Sequence, residues 1–426
     1  MHSSVHQMEE TLVATLIQLI VIILAARIAG NAAAAVRQPR VVGEIIAGLL
    51  LGPSFLTAAF PEASATIFNA SAAPSVQILS QIGLVLLMFQ IGSDFEFGHL
   101  RTQQNRKAAV FVSVASVFAP LCVGFALGRL TAPVLAPGID PLIYSLFVAI
   151  ALAITAVPVL GRILREYSLT RSDTGVIAIS AAAANDVVGW ILLAGITAFA
   201  SAQLSMANSA LQLVGLLILA AGFWYGGRPL VDWLLRRMPI SEGQIPAQLV
   251  AIVLAAVFAA GIVTQKLGIF TIFGGFMLGL LFHRHREFVE TWQRQVGKFI
   301  LVFFLPIFFT CTGLRTNIFG LDSLSDWSWC AAIFLAAVAS KVMPVYLASR
   351  LAGLSPEKSA TIGVSMNTRG LMELIVLNIG LDLGFIPQDV FTMLVIMAVG
   401  TTIMTGPLLK RLLRRSGHPL PTLVEA

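Results

Sequence analysis

The chain has 426 residues, of which 57% are hydrophobic and only 11% charged, with a formal net charge of +6. That leaves too little polar surface to cover a water-soluble globule, so lipid is the expected solvent. Nucleic-acid binding is not the reading of the positive excess, because Lys and Arg fall in short clusters between long apolar runs, a topology signal.

Cys122, Cys311 and Cys330 are odd in number and far apart, so neither a disulfide framework nor a metal clip is expected, and all three read as small packing residues. Met1–Glu10 lacks the basic stretch and small-residue cleavage site of a signal peptide, so the first helix is expected to persist.

A bilayer crossing needs about 20 helical residues, and cutting the apolar runs at charge clusters and Pro/Gly breaks predicts thirteen spans. In chain order they are Leu12–Ala35, Val41–Phe60, Val76–Phe97, Lys107–Leu130, Pro141–Leu164, Thr174–Ala200 and Leu211–Leu235. Gln244–Gln265, the short Ile269–Phe282, Gly297–Thr316, Ser328–Arg350, Ser359–Leu381 and Gln388–Leu409 complete the set. Every second loop is basic: Arg37 and Arg40, then Arg101 and Arg106, then Arg162, Arg165 and Arg171, and so on to Arg414 and Arg415 in the tail. Loops around Glu62, Asp140, Met206 and Asp382 are nearly free of positive charge, with Lys266 and Arg315 as exceptions. This alternation predicts an N-terminus outside and a cytoplasmic C-terminus.

The second helix reads IIAGLLLG and the ninth IFGGFMLG, setting Gly48 opposite Gly275 and Gly52 opposite Gly279. The fifth and twelfth match as AITAVPVL and SMNTRGLM, with Thr155 opposite Thr368. An offset of seven helices makes each pair cross in opposite directions, the mark of inverted repeats. GxxxG spacings at Gly48–Gly52, Gly124–Gly128 and Gly275–Gly279 predict close helix packing.

An ionisable side chain in mid-membrane is costly and therefore a functional candidate. Asp186 lies in AAAANDVVGW with no basic residue near it in sequence, and is read as a carboxylate that binds a cation or a proton in turn, beside the uncharged oxygen of Asn185. Lys341 must find a carboxylate, a carbonyl or water. Arg369 and Glu373, four residues apart, share a helix face and can neutralise each other. Two helices carry breaks at comparable depth. Pro158 follows Thr155 and frees the carbonyl near Ile154, while Asn367, Thr368 and Gly370 interrupt the twelfth helix. Unwound backbone at the midplane offers carbonyls and opposed helix ends to an ion. Glu44, Asp94 and Glu96 fall near helix ends, and His283 and His285 in a basic loop. No GxxxxGK[ST] phosphate loop is present.

VVGEIIAGLLLGPS, TAVPVLGRIL, AAAANDVVGW and SMNTRGLMELIVLNIG resemble the monovalent cation:proton antiporters of the second superfamily division, among them plant cation/proton exchangers and glutathione-gated potassium efflux systems. The resemblance implies an all-α polytopic membrane fold with inverted repeats and two broken crossing helices. Core helices at about 107–200 and 328–409 would move against scaffold and dimer helices at about 12–97 and 244–316, joined by a linker helix at about 211–235. It implies a homodimer in the cell (plasma or inner) membrane, no cofactor and no enzymatic reaction. Asp186 would be the shared cation and proton site, with Asn185, Thr155 and Lys341 around it, and Lys341, Arg369 and Glu373 as core or gating charges. Relatives with Asn-Asp at this pair are usually electroneutral. Many relatives carry a cytosolic nucleotide-binding domain, but this sequence ends shortly after its last span, and gating by such a domain is not expected.

The function expected is therefore exchange of Na⁺ or K⁺ for H⁺ by competition at Asp186. A sodium-coupled organic-anion symporter on a similar scaffold is the alternative and a cation channel a more distant one, since no acidic ring or carbonyl-filter motif is visible.

Overall fold

In the computed structural model the residues described are 2–36, 38–68, 73–94, 102–167, 169–170, 172–202, 221–241, 243–267 and 270–415. Arg37, Glu96, Arg101, Arg171, Met206 and positions 211–220 of the predicted seventh helix lie outside them. Among the described residues there are seventeen α-helices and no β-strand.

In chain order the first eight are α1 (His2–Ala35), α2 (Arg40–Leu51), α3 (Pro61–Ile67), α4 (Ala73–Ser93), α5 (Gln103–Leu135), α6 (Pro141–Ala153), α7 (Val157–Glu166) and α8 (Asp173–Ala202). The next five are α9 (Arg228–Arg237), α10 (Ala247–Lys266), α11 (Thr271–Phe282), α12 (Arg286–Trp292) and α13 (Leu305–Leu314). Then follow α14 (Leu324–Leu351), α15 (Pro356–Ser365), α16 (Leu371–Asp382) and α17 (Gln388–Arg415). Nine helical stretches among the described residues are long and apolar enough to cross a membrane, and the chain is a multi-pass membrane protein. That count, made among the described residues, takes in only single helices of 18 residues or more, so broken and short crossings of the thirteen expected fall outside it. The predicted fifth and twelfth spans are each split into two short helices, α6 with α7 and α15 with α16, and α11 is itself short.

Helix starts follow local chemistry. Asp140 accepts from the N–H groups of Leu142 and Ile143, with Pro141 opening α6. Ser323 and Asp326 form a reciprocal capping box at α14, and Ser355 caps α15 ahead of Pro356. These side chains occupy the first-turn N–H groups that no helical carbonyl can reach.

The chain divides into two compact units. One comprises 1–26, 56–96 and 194–311. Within it α4 packs on α11, where a Cβ at Gly279 would lie 2.2 Å from the Phe89 carbonyl oxygen and one at Gly92 would lie 2.3 Å from that of Phe276. The other unit comprises 27–55, 97–193 and 312–426 and carries every candidate site residue. There α5 packs along α6 and α14, and α17 against α14, α15 and α16. A buried apolar cluster with Val112, Val159, Leu160, Ile177, Val345 and Ile362 among its members anchors the half-helices α7 and α15.

Gly313 meets the Gly48 backbone in this unit, as Gly92 meets Gly279 in the other. Gly92 and Gly313 thus extend the seven-helix offset read from Gly48/Gly275 and Gly52/Gly279. Arg315, an exception to the charge alternation, donates to Asp382 at 2.7 Å and to Asn378 at 3.2 Å, so its charge is locally balanced. Cys330 is buried, whereas Cys122 is exposed instead of packed.

At Gly124 an added Cβ would sit 2.7 Å from Ala149 Cα, a backbone atom of α6 that cannot swing aside. Gly124→Val should lower the melting temperature in detergent, reflecting about 1–3 kcal/mol of overpacking. Gly161→Ala, where a Cβ meets nothing within 4 Å, should not, and equal melting of both variants would show that the α5–α6 contact contributes nothing to stability.

Candidate functional site: a crossing of two broken helices

α6 stops at Ala153 because the backbone turns extended at Ile154 and stays so through Ala156. The chain becomes helical again at Val157, with Pro158 in the first turn of α7, where a missing N–H costs nothing. In the second break α15 ends at Ser365, and Gly370 precedes α16 with φ 149° and ψ −122°. An L side chain is strained there, and a Cβ would also come within 3.0 Å of Val159 Cγ2.

The two breaks cross and are pinned directly. The Ala156 N–H donates to the Thr368 carbonyl at 3.2 Å, and Thr155 Oγ1 donates to the Met366 carbonyl at 3.3 Å. Thr402 fixes the second break from α17: its hydroxyl accepts from the Arg369 N–H at 3.0 Å and donates to the Arg369 carbonyl at 2.8 Å.

The end of α6 raises an accounting problem, since four terminal carbonyls have no partner in the helix. Ile150 is the last to receive one, from the Ile154 N–H at 3.2 Å. Arg369 takes three of the next four, donating to Ala151 at 2.8 Å, Leu152 at 2.7 Å and Ile154 at 3.5 Å. The remaining carbonyl, Ala153, accepts from Asn185 Nδ2 at 3.1 Å and from the Lys341 ammonium. A guanidinium with five donors in a fixed fork suits such a cluster, and both cations complement the negative end of α6.

Arg369 also meets Glu373 Oε1 at 3.3 Å with both side chains fully buried, the i,i+4 pair read from the sequence. Lys341 donates besides to the Ser116 carbonyl at 2.8 Å. Asn185 Nδ2 reaches Thr155 Oγ1 at 3.0 Å. It therefore acts through its nitrogen, as a brace from α8 to the first break, where sequence reasoning had weighed only its oxygen.

Asp186 is 2% exposed. One side of its carboxylate receives the Val157 N–H, at the positive end of α7, and the charge of Lys341 acts on it from α14. Oδ1 has no hydrogen-bond partner. Asn367 lies between the two crossing bonds, is 1% exposed, and has no partner for either amide atom; Ser365 Oγ and Glu373 Oε2 are likewise unengaged. Buried polar groups without partners are expensive, and oxygens of a carboxylate, an amide and a hydroxyl are a donor set that suits a hard monovalent cation.

The structure therefore gathers Thr155, Asn185, Asp186, Lys341, Asn367, Thr368, Arg369, Gly370 and Glu373 around one crossing. Glu44 belongs to another group of charges, with Arg27, Arg40 and Arg162 facing it. His285 pairs with Asp232 at 2.9 Å in the other unit. Ser116, Ser365 and Thr402 escaped the sequence reading; only Ser116 left a trace, through Pro120 in the middle of an apolar run.

A family profile described as "Sodium/hydrogen exchanger, transmembrane" matches residues 19–415. A protein named as a Na⁺/H⁺ antiporter from Synechocystis sp. is 35% identical over 413 residues, covering 96% of this chain and 99% of that one. Cation/H⁺ antiporter 19 of Arabidopsis thaliana is 32% identical over 95% of this chain, which spans about half (50%) of that longer protein. The structure of a sodium proton antiporter from Methanocaldococcus jannaschii superposes with a TM-score of 0.60 over 95% of each chain at 15% identity, a likeness of fold. The chain belongs to the transmembrane sodium/hydrogen exchanger family.

Proposed function

We propose that this protein is a secondary antiporter exchanging a monovalent cation, Na⁺ or K⁺, for H⁺, with Asp186 as the group both ions share. The observation that carries this reading is the unpartnered Oδ1 of a buried carboxylate, set against the N-terminus of α7 beside two unwound segments. A deprotonated Asp186 binds the cation on one side of the membrane; protonation on the other displaces it. Occupancy by one ion excludes the other, and that exclusion couples the gradients.

Asn185 and Thr155 brace the first break, Asn367 and Ser365 offer further oxygens, and Pro158, Thr368 and Gly370 keep the two segments unwound. Lys341, Arg369 and Glu373 hold the broken ends together. In this reading residues 107–200 and 328–409 form the moving core, 12–97 and 244–316 the scaffold of a homodimer, and 211–235 the linker. The N-terminus faces outward and the C-terminus the cytoplasm of a plasma or inner membrane, as the basic loops favour. With Asn at 185 a single carboxylate at the pair trades one cation for one proton, so exchange is electroneutral.

In proteoliposomes, Asp186→Asn should abolish Na⁺- or K⁺-dependent proton movement while leaving the melting curve intact, and retained exchange would sink the assignment. At saturating ions the wild-type flux should not respond to an imposed membrane voltage; a voltage-dependent rate contradicts one-for-one exchange. Arg369→Met removes the donors of three carbonyls and should cost about 3–5 kcal/mol, the range for breaking a buried charge network, read as loss of the folded peak on size exclusion. A stable Arg369→Met protein would show that those carbonyls find other donors.

A further inference from the structure

Pro120 lies inside α5, and a proline has no N–H to offer the carbonyl four residues earlier. That carbonyl belongs to Ser116, and it is the one that receives Lys341 Nζ at 2.8 Å. The same device recurs in this unit: Pro407 in α17 leaves the Ile403 carbonyl open, and Gln38 Nε2 takes it at 3.3 Å.

Around Pro120 the chain reads Val114-Ala115-Ser116-Val117-Phe118-Ala119-Pro120, and α14 repeats it as Val338-Ala339-Ser340-Lys341-Val342-Met343-Pro344. Both serine hydroxyls donate three residues back, Ser116 to Ser113 at 3.0 Å and Ser340 to Ala337 at 3.3 Å. The two segments share Val, Ala, Ser and Pro and differ at three positions, one of which places Lys341 opposite Val117, where it reaches the carbonyl freed in the sister helix.

We infer that Pro120 is a positioning residue for ion exchange: by withholding an N–H from the Ser116 carbonyl, it keeps an acceptor open that holds the Lys341 ammonium off the Asp186 carboxylate. Lys341 then directs its donors to the carbonyls of Ser116 and Ala153, and the carboxylate oxygen stays available to the transported ion. The charged groups facing Lys341 are Arg369, Glu373 and Asp186. Arg369 engages one oxygen of Glu373, so a released ammonium has two open carboxylate oxygens to find, Asp186 Oδ1 and Glu373 Oε2, and capture at Asp186 is the one that changes cation affinity.

The inference rests on Asp186 as the exchange carboxylate, and its test separates the two. In Pro120→Ala and Pro120→Gly the new N–H closes on the Ser116 carbonyl. The released ammonium then competes with the cation at Asp186. Exchange in proteoliposomes should show an apparent KM for Na⁺ or K⁺ raised about tenfold, the scale of one added charge contact, with the maximal rate retained. The acid limb of the rate-against-pH profile should move to lower pH, because an ammonium beside a carboxylate disfavours its protonated form.

Ala and Gly differ in helix propensity but share the restored N–H and the lost ring, so a common effect excludes propensity as the cause. In a Lys341→Met background, cation-induced thermal stabilisation should be the same whether Pro120 is kept or Pro120→Ala is added, since no ammonium remains to be steered. If neither Pro120 variant folds, an amide-to-ester change of the Ser116–Val117 bond weakens the same acceptor with Pro120 in place, and should reproduce the KM and pH shifts. Folded variants with an unaltered KM and pH profile would overturn the inference. So would a shift that persists without Lys341. Asp186→Asn assayed in parallel tells the failures apart: surviving exchange there removes the carboxylate reading itself, whereas its loss beside an unaltered Pro120→Ala profile removes only the role of Pro120.

Discussion

A backbone carbonyl that loses its helical partner within a bilayer has no water to turn to, and must be met by a donor from elsewhere in the protein. At the end of α6 four such carbonyls, Ala151 to Ile154, are met by Arg369, Lys341 and Asn185, which arrive from the second break, α14 and α8. The crossing can exist because those three side chains are there. Three positively charged or amide donors in an apolar interior would otherwise be liabilities. Here they and the unwound backbone satisfy one another.

That exchange of hydrogen bonds leaves an asymmetric remainder. Carbonyls take the Lys341 ammonium and the two terminal guanidinium nitrogens of Arg369, while Asp186 Oδ1, Glu373 Oε2, Ser365 Oγ, both amide atoms of Asn367 and Arg369 Nε stay unpaired. Two of those unpaired oxygens belong to carboxylates, and the proposed exchange site rests on the one at Asp186. The N-terminus of α7 faces the Asp186 carboxylate and tempers its negative charge.

The two halves of the chain share a backbone pattern and differ in the side chains that carry charge. Glycine contacts, the serine-to-proline segments of α5 and α14 and the two breaks recur at the seven-helix offset. Asp186 belongs to the first half, Lys341 and Arg369 to the second. Each half thus supplies what the other lacks: the first ends a helix with open carbonyls and provides the acid, and the second provides the cations that close those carbonyls.

Much of this was legible in the residues themselves. Bulk apolarity determines a membrane protein, and Asp186, Lys341, Arg369 and Glu373 stand out because charge within an apolar run has a cost that needs a reason. Pro158 and the Asn367–Gly370 segment marked both breaks, since a missing N–H and a glycine act on the local backbone. Partnership was not legible. That Lys341 serves carbonyls in place of the acid, that Asn185 works through its nitrogen, and that Thr402 holds the second break depend on which groups distant segments bring within about 3 Å, the reach of a hydrogen bond. Residue spacing along one helix determined the Arg369–Glu373 pair. The contacts of Arg369 with Ala151 and Leu152, more than 200 positions away in the chain, were decided only by the tertiary structure, because the carbonyls they satisfy become orphans only once α6 has ended there.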